Sequence, residues 1–462
     1  MVEKSHIAHG YAGLSGGGIY LAVRASASIS ASTIRACLAK DGGGVFMSMS
    51  SLVVVSSAVH NEALRYGGGV YADNSFLNVS ESSVSHNTAH YRGGGMHLAG
   101  SSLIMINTSV GDNTASGNGG GIYASYCTLD LQGTSVSGNT ALAVANRNVG
   151  NGGGIATFRC TVALGHRTSV SGNTAASDGG GLWIQQSDLT VTGGAIDSNG
   201  AQERGGGGYL YGASETPSRM STVNTSISRN EAATIVTTIL GGRGGGVYAI
   251  FGALDLASST VEGNAAYKGG GVFMTLHSTM WAVHSTIRHN EAFDAGGIYL
   301  TGGESTSLTP PRPCTLNAAG SAIDHNTANG RGGALVAMAS FVNLHADSSV
   351  SHNVAADLGG GMYMIGSTVT VDSSVSYNTA SSGGGMYAIE VSTIFLRENA
   401  SVSANMASYY GMGTFNIFEQ GSRSCGNCGK FGPIVMTDSC YTHLLLHAPS
   451  VTDSCYTHHT PD

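Results

Sequence analysis

Gly93-Gly94-Gly95-Met96-His97-Leu98, then Ser102-Leu103-Ile104-Met105-Ile106, then Thr108-Ser109-Val110-Gly111-Asp112-Asn113: one unit of this chain holds its whole plan. A glycine triplet or near-triplet begins at residues 16, 42, 67, 93, 119, 152, 179, 205, 244, 269, 295, 332, 359 and 383, and ten of the thirteen spacings lie between 24 and 27 residues. Five to seven residues before most triplets stands an asparagine. These are Asn61, Asn87, Asn113, Asn139, Asn173, Asn199, Asn230, Asn264, Asn290, Asn326, Asn353, Asn378 and Asn405, with Cys37 in the equivalent place of the first unit. A fixed period of this length marks a repeat architecture.

Within each unit the apolar residues alternate with polar ones, which is the pattern of a strand with one buried face. Ahead of the asparagine, Val84, Val110, Val136, Val170, Ile196, Ile227, Val261, Ile287, Ile323, Val350, Val375 and Val402 form one aliphatic column flanked by Ser or Thr. Three short strands in about 25 residues are too few for a propeller blade and carry no helical period. The pattern therefore predicts an all-β chain: a right-handed, single-stranded parallel β-helix (β-solenoid) of about 14 coils, three short strands per coil, over residues 1–406. Coils stacked about 4.8 Å apart would give a rod roughly 65–70 Å long. Asparagines in register can pair with the copies above and below, as side-chain ladders do in cross-β stacks. The ladder expected here runs through Asn61, Asn87, Asn113, Asn139, Asn173, Asn264, Asn290, Asn326, Asn353 and Asn378. Insertions at 142–150 and 233–243, and at 212–219 and 301–314, are expected to project from two edges of the rod.

Composition narrows the function. The chain has 462 residues, 70 glycines, 10% charged residues and a net charge of −8. Typical soluble domains carry about a quarter charged residues, so the polar surface here must come from Ser, Thr and Asn. The sequence holds no run of Lys and Arg, which argues against a nucleic-acid binder. No stretch of eighteen apolar residues exists to make a membrane helix. The opening Met1-Val2-Glu3-Lys4-Ser5-His6-Ile7 lacks the apolar core of a secretory signal, and a leader upstream of the repeats is expected. Residues 407–462 are expected to form a weakly ordered tail. Its Cys425, Cys428, Cys440 and Cys455, near His443, His447, His458 and His459, suit disulfides or zinc ligation.

One column draws attention as a binding surface. Directly after the core aliphatic residue that follows each triplet come Tyr20, Phe46, Tyr71, Tyr123, Trp183, Tyr209, Tyr248, Phe273, Tyr299, Tyr363 and Tyr387, with His97 in the same place. Alternation turns them outward. Tyr71, Tyr123, Trp183, Tyr248, Phe273 and Tyr299 are therefore the candidate ligand-binding residues, an exposed stripe for glycan or protein. The alternative is that the stacked rings only stabilise the sheet or lie beneath loops. His289, His325 and His352 precede the asparagine in three consecutive units, a column that could bind metal or respond to pH but also accepts Gly, Arg and Tyr. No metal site, cofactor or catalytic set is assigned. Glycoside hydrolysis needs paired carboxylates, and the best-placed acids, Asp130, Asp188, Asp255 and Asp372, fall in different, mostly non-adjacent coils.

The glycine half of the unit, as in Gly332-Gly333-Ala334-Leu335 and Ala295-Gly296-Gly297-Ile298, resembles the repeats of the polymorphic outer-membrane proteins and of related right-handed β-helix (pectin-lyase-like) surface proteins. The likeness covers about residues 13–406. Where the former carry an aromatic residue three before the asparagine, this chain has Val, as in Val136-Ser137-Gly138-Asn139. The resemblance implies a secreted or cell-surface, adhesin-like protein with glycans or surface proteins as partners. The same architecture houses polysaccharide lyases and hydrolases, the alternative expectation. Open coil edges also invite end-to-end or lateral self-association.

Overall fold

The computed structural model describes residues 1–143, 150–233, 241–303 and 312–410, and the backbone of 414–417. The chain is a right-handed parallel β-solenoid. Three sheets run its length: sheet A, with strands such as Ser102–Ile106, sheet B, with Ser109–Gly111, and sheet C, with Met96–Ala99. Sheets A and C each contain 15 strands, and every pairing is between successive coils. The expected 14 coils counted triplets alone. Sheet A begins one coil earlier, at Val2–Glu3, and sheet C ends one coil later, at Thr414–Ile417. In most coils the asparagine also splits the sheet B strand in two, as Ser109–Gly111 and Thr114–Ala115. The tail cysteines and most of the insertions at 142–150, 233–243 and 301–314 lie outside the described residues. The insertion at 212–219 closes on itself through reciprocal Ala213 and Thr216 backbone bonds before rejoining sheet A at Ser218.

Register keeps side chains of one kind stacked. Leu103 pairs with Leu77 and Leu129, and Val110 with Val84 and Val136. One face of each strand fills the interior, and Leu103, Met105, Val110, Met96 and Leu98 are fully buried in a single core. Each coil would expose that apolar row if it stood alone, so stacking supplies the burial that drives folding.

The corners are held by side-chain ladders. The Asn173 amide is typical: its Nδ2 donates to Val136 O and Asn199 Oδ1, both at 2.9 Å, while its Oδ1 accepts from Asn139 N at 3.0 Å and Asn139 Nδ2 at 2.9 Å. The same pattern passes through Asn87, Asn113, Asn139, Asn199, Asn230, Asn264, Asn290, Asn326, Asn353 and Asn378. Asn61 and Cys37 extend it at the N-terminal end, the Cys37 N–H donating to Asn61 Oδ1. Two further ladders were not anticipated. Between sheets C and A, the backbone N–H of one coil donates to the next coil's serine: Ser50 to Ser75 and Ser75 to Ser101. Cys127 and Cys160 continue this column, so they are serine substitutes whose sulfurs accept from Ser101 N and Cys127 N. Between sheets A and B a Ser/Thr column does the same, as in Ser32 to Ser57 and Ser57 to Ser82. These bonds satisfy backbone donors where the sheets bend and their regular pairing stops.

The glycine corner differs in cause. Gly119 takes φ 73°, a conformation that costs little only without a Cβ. Its neighbour Gly120 packs directly on the backbone of Thr140 and Gly153.

Candidate functional site

The outward alternation of the aromatic column is real, yet its exposure is not. Tyr123, Trp183, Tyr248, Phe273 and Tyr299 are buried, as are Tyr209, Tyr363 and Tyr387, and only Tyr20 at the rod's end is open at 58%. Tyr71 is half-buried. Two things cover them. Rings stack on their own copies along the axis, with centroids 5.1 Å apart for Tyr209–Tyr248 and Tyr248–Phe273 and 4.8 Å for Phe273–Tyr299. Their flanks are closed on one side by the residue preceding the triplet and on the other by Ile250, Met338, Ile365 and Ile389. The stripe is a second core outside sheet C and not the exposed surface that alternation suggested.

His97 is part of that core, between Tyr71 and Tyr123 at 5.1 and 5.0 Å. Its Nδ1 is buried without a partner. Burial, with the Arg92 guanidinium beside it, lowers its pKa to about 3. The unfolded chain protonates this histidine near 6.5, so between pH 6.5 and 3 only the unfolded state gains the proton. Stability attributable to His97 is therefore complete above 6.5 and falls as pH drops, by up to about 1.4 kcal/mol per pH unit. Urea denaturation at pH 7 and pH 4.5 should show a smaller loss for His97→Phe than for the native chain; an identical loss would contradict the assignment.

The outer face of sheet A also carries exposed aromatic side chains. Trp281 is 46% exposed there. Strand register places Asp255 on one side of it and Asn317, Asn343 and Thr370 in succession on the other. Asn343 Nδ2 donates to Asn317 Oδ1 at 3.0 Å, fixing the two amides. The imidazole of His345 lies nearly parallel to the indole, 6.3 Å between ring centres. Beyond them opens a cleft of about 520 Å³ lined by Asn343, His345, Thr370, Asp372, Arg397 and Glu398. The cleft follows from register: Val371 pairs with Leu396, so Asp372 and the Arg397-Glu398 turn leave the sheet at the same height. Asp372 Oδ1 accepts from Asn399 N at 3.3 Å.

Of the four acids singled out in the sequence, only Asp372 shares a cleft with a second carboxylate, Glu398. Asp255 hydrogen-bonds Ser221 and borders Trp281, while Asp130 is bonded to Gln132 and Asp188 is paired in register with Arg219. Trp281 escaped the sequence reading because it belongs to no column; a lone tryptophan between polar neighbours in sheet A was the available signal. His289, His325, His352 and Tyr377 do stack, at 5.2, 5.0 and 5.0 Å. Among the described residues no group of three or more His, Cys, Asp or Glu side chains is placed to hold a metal ion. Arg204, Arg243, Lys268 and Arg331, far apart in sequence, occupy one column in space together with Asp178 and Asp294.

Comparison with protein families agrees with the architecture over the N-terminal coils. The family described as right handed beta helix region matches residues 2–141. Among solved structures, the crystal structure of Dettilon tailspike protein (gp208) is similar with a TM-score of 0.33 and 10% identity, over 80% of this chain and 62% of that one. No curated protein matches. The chain is a right-handed parallel β-helix protein.

Proposed function

We propose that the chain is an extracellular or cell-surface scaffold that binds glycan on the outer face of sheet A, around Trp281. The single observation that carries this reading is the exposed indole set beside the fixed Asn317–Asn343 amide pair. A sugar ring presents axial C–H groups that pack on an aromatic face, while its hydroxyls need paired donors and acceptors such as primary amides. These side chains project from one continuously paired sheet, and a preformed surface lowers the ordering cost of binding. Exposure of Asn107, Asn224 and Asn399, each in an Asn-x-Ser/Thr sequence, supports a secretory route. The glycine-motif likeness to bacterial surface repeats points the same way.

A glycan array followed by titration of the best binder tests this. Trp281→Ala should weaken binding roughly tenfold or more, equivalent to about 1.4 kcal/mol, and leave the melting temperature nearly unchanged because the side chain faces solvent. Unchanged affinity would reject the site.

The shared cleft of Asp372 and Glu398 supports a second reading, hydrolysis of the bound glycan by two carboxylates. New reducing ends that disappear in Glu398→Gln would favour it. Binding with no new reducing ends favours the non-enzymatic scaffold.

A further inference from the structure

The residue before each glycine triplet forms a column at the C-terminal edge of sheet B, where Lys268 pairs in register with Asp294. On six consecutive coils its members are Asp178, Arg204, Arg243, Lys268, Asp294 and Arg331. Backbone bridges join Asp178 to Arg204, Arg204 to Arg243 and Arg243 to Lys268. Carbonyls of Lys268, Asp294 and Arg331 accept in turn from Gly244, Gly269 and Ala295, carrying the register onward.

Two of the four cations are neutralised. Arg204 forks onto Asp178 at 2.9 and 3.0 Å, and Arg331 onto Asp294 at 3.3 and 3.2 Å. Between these pairs, Arg243 and Lys268 stand on adjacent coils and form no ion pair with any described residue. The intervening segment 234–240, Thr-Ile-Val-Thr-Thr-Ile-Leu, contains no acid. Each cation lies over a ring of the buried stack, Arg243 at 5.5 Å from Phe273 and Lys268 at 5.4 Å from Tyr299. That contact leaves Arg243 Nε buried and without a hydrogen-bond partner. Like charges on adjacent coils repel. Burial, with Arg243 reinforcing it against the pull of Asp294, lowers the pKa of the Lys268 ammonium.

We propose that Arg243 and Lys268 bind one tetrahedral oxyanion, sulfate or phosphate, free or as the ester of a polysaccharide. The guanidinium offers a planar fork of donors and the ammonium a mobile one, so a single tetrahedral anion can accept from both coils at once. It would offset the repulsion between them. The site is on a different sheet from Trp281 and does not depend on glycan binding there.

Isothermal titration of the full chain with sodium sulfate and with sodium phosphate, against sodium chloride at equal ionic strength, tests it. Saturable binding of one anion per chain is expected. Arg243→Gln and Lys268→Gln should each weaken it roughly tenfold or more. Lys268→Arg should retain it, and so should Arg288→Gln, which removes a cation paired with Glu262 at 3.1 Å. Thermal melts establish that each variant is folded. No saturable binding, or equal binding by both glutamine variants, would overturn the proposal. Titration with dextran sulfate then separates the sources: tighter binding per sulfate than the free ion, lost in the glutamine variants, assigns a polymer ester, and equal binding assigns the free ion.

Discussion

Gly120→Ala should prevent stable stacking of the coil that carries it, lowering stability by about 4 kcal/mol or more. A Cβ at Gly120 would lie 2.5 Å from Gly153 O and 2.6 Å from both Thr140 N and Thr140 C. All three are backbone atoms of the sheet ladders, so no rotamer change relieves the clash. The next coil would have to move away, breaking the Gly119 N to Asn151 O and Ile122 N to Gly154 O bonds on either side. Gly111 is the control. Its substituted Cβ would meet nothing nearer than 3.5 Å, and its register partners are Ser85 and Ser137. Gly111→Ala should be neutral or slightly stabilising, because a strand glycine loses more backbone entropy on folding than alanine. Equal urea midpoints for Gly120→Ala and the native chain would refute the account.

Asn173→Ala is expected to cost about 3–5 kcal/mol, close to the effect at Gly120. The side chain is fully buried, and its loss orphans several groups together. Asn139 N and Val136 O lose their partners, and the Asn139 and Asn199 amides each lose one bond. Each buried group left unmatched costs about 1–3 kcal/mol, partly recovered if water enters. Asn173→Asp should not rescue, since a carboxylate keeps the acceptor toward Asn139 but faces Val136 O and Asn199 Oδ1 with no proton to donate. Asn399→Ala, at an exposed side chain outside the ladder, should leave the denaturation midpoint in place. A midpoint shift under about 1 kcal/mol for Asn173→Ala would mean the ladder reports register without holding it.

Both experiments probe features that could be read directly from the chain. Triplet spacing announced the coil, and the aliphatic column before each asparagine announced the buried face. Both signals are local and repeat many times, so chance departures such as Ala295 or Cys37 do not blur them. The serine ladders were less visible, because Ser and Thr are common everywhere in this composition and only register shows which of them align. Cys127 and Cys160 took on a defined role only when they were found in that column.

The exposure of the aromatic column was misread for a related reason. Period-two alternation correctly turned Tyr248 and Phe273 away from the main core, but pointing out of a strand is not the same as meeting solvent. Whether a ring is covered depends on its stacked copies and on the segment ahead of the triplet, residues that are neighbours across coils and not along the chain.

The glycine and asparagine repeats thus determined, by themselves, that the chain coils into a parallel β-helix, since period and alternation are properties of a single coil copied along the sequence. Tertiary structure alone decided which outward residues remain open. It closed the aromatic stripe, left Trp281 exposed, brought Asp372 and Glu398 to one cleft, and placed Arg243 and Lys268 on adjacent coils. Exposure and charge proximity arise between coils, where insertions of varying length set residues about 4.8 Å apart that the sequence separates by 24 to 39 positions.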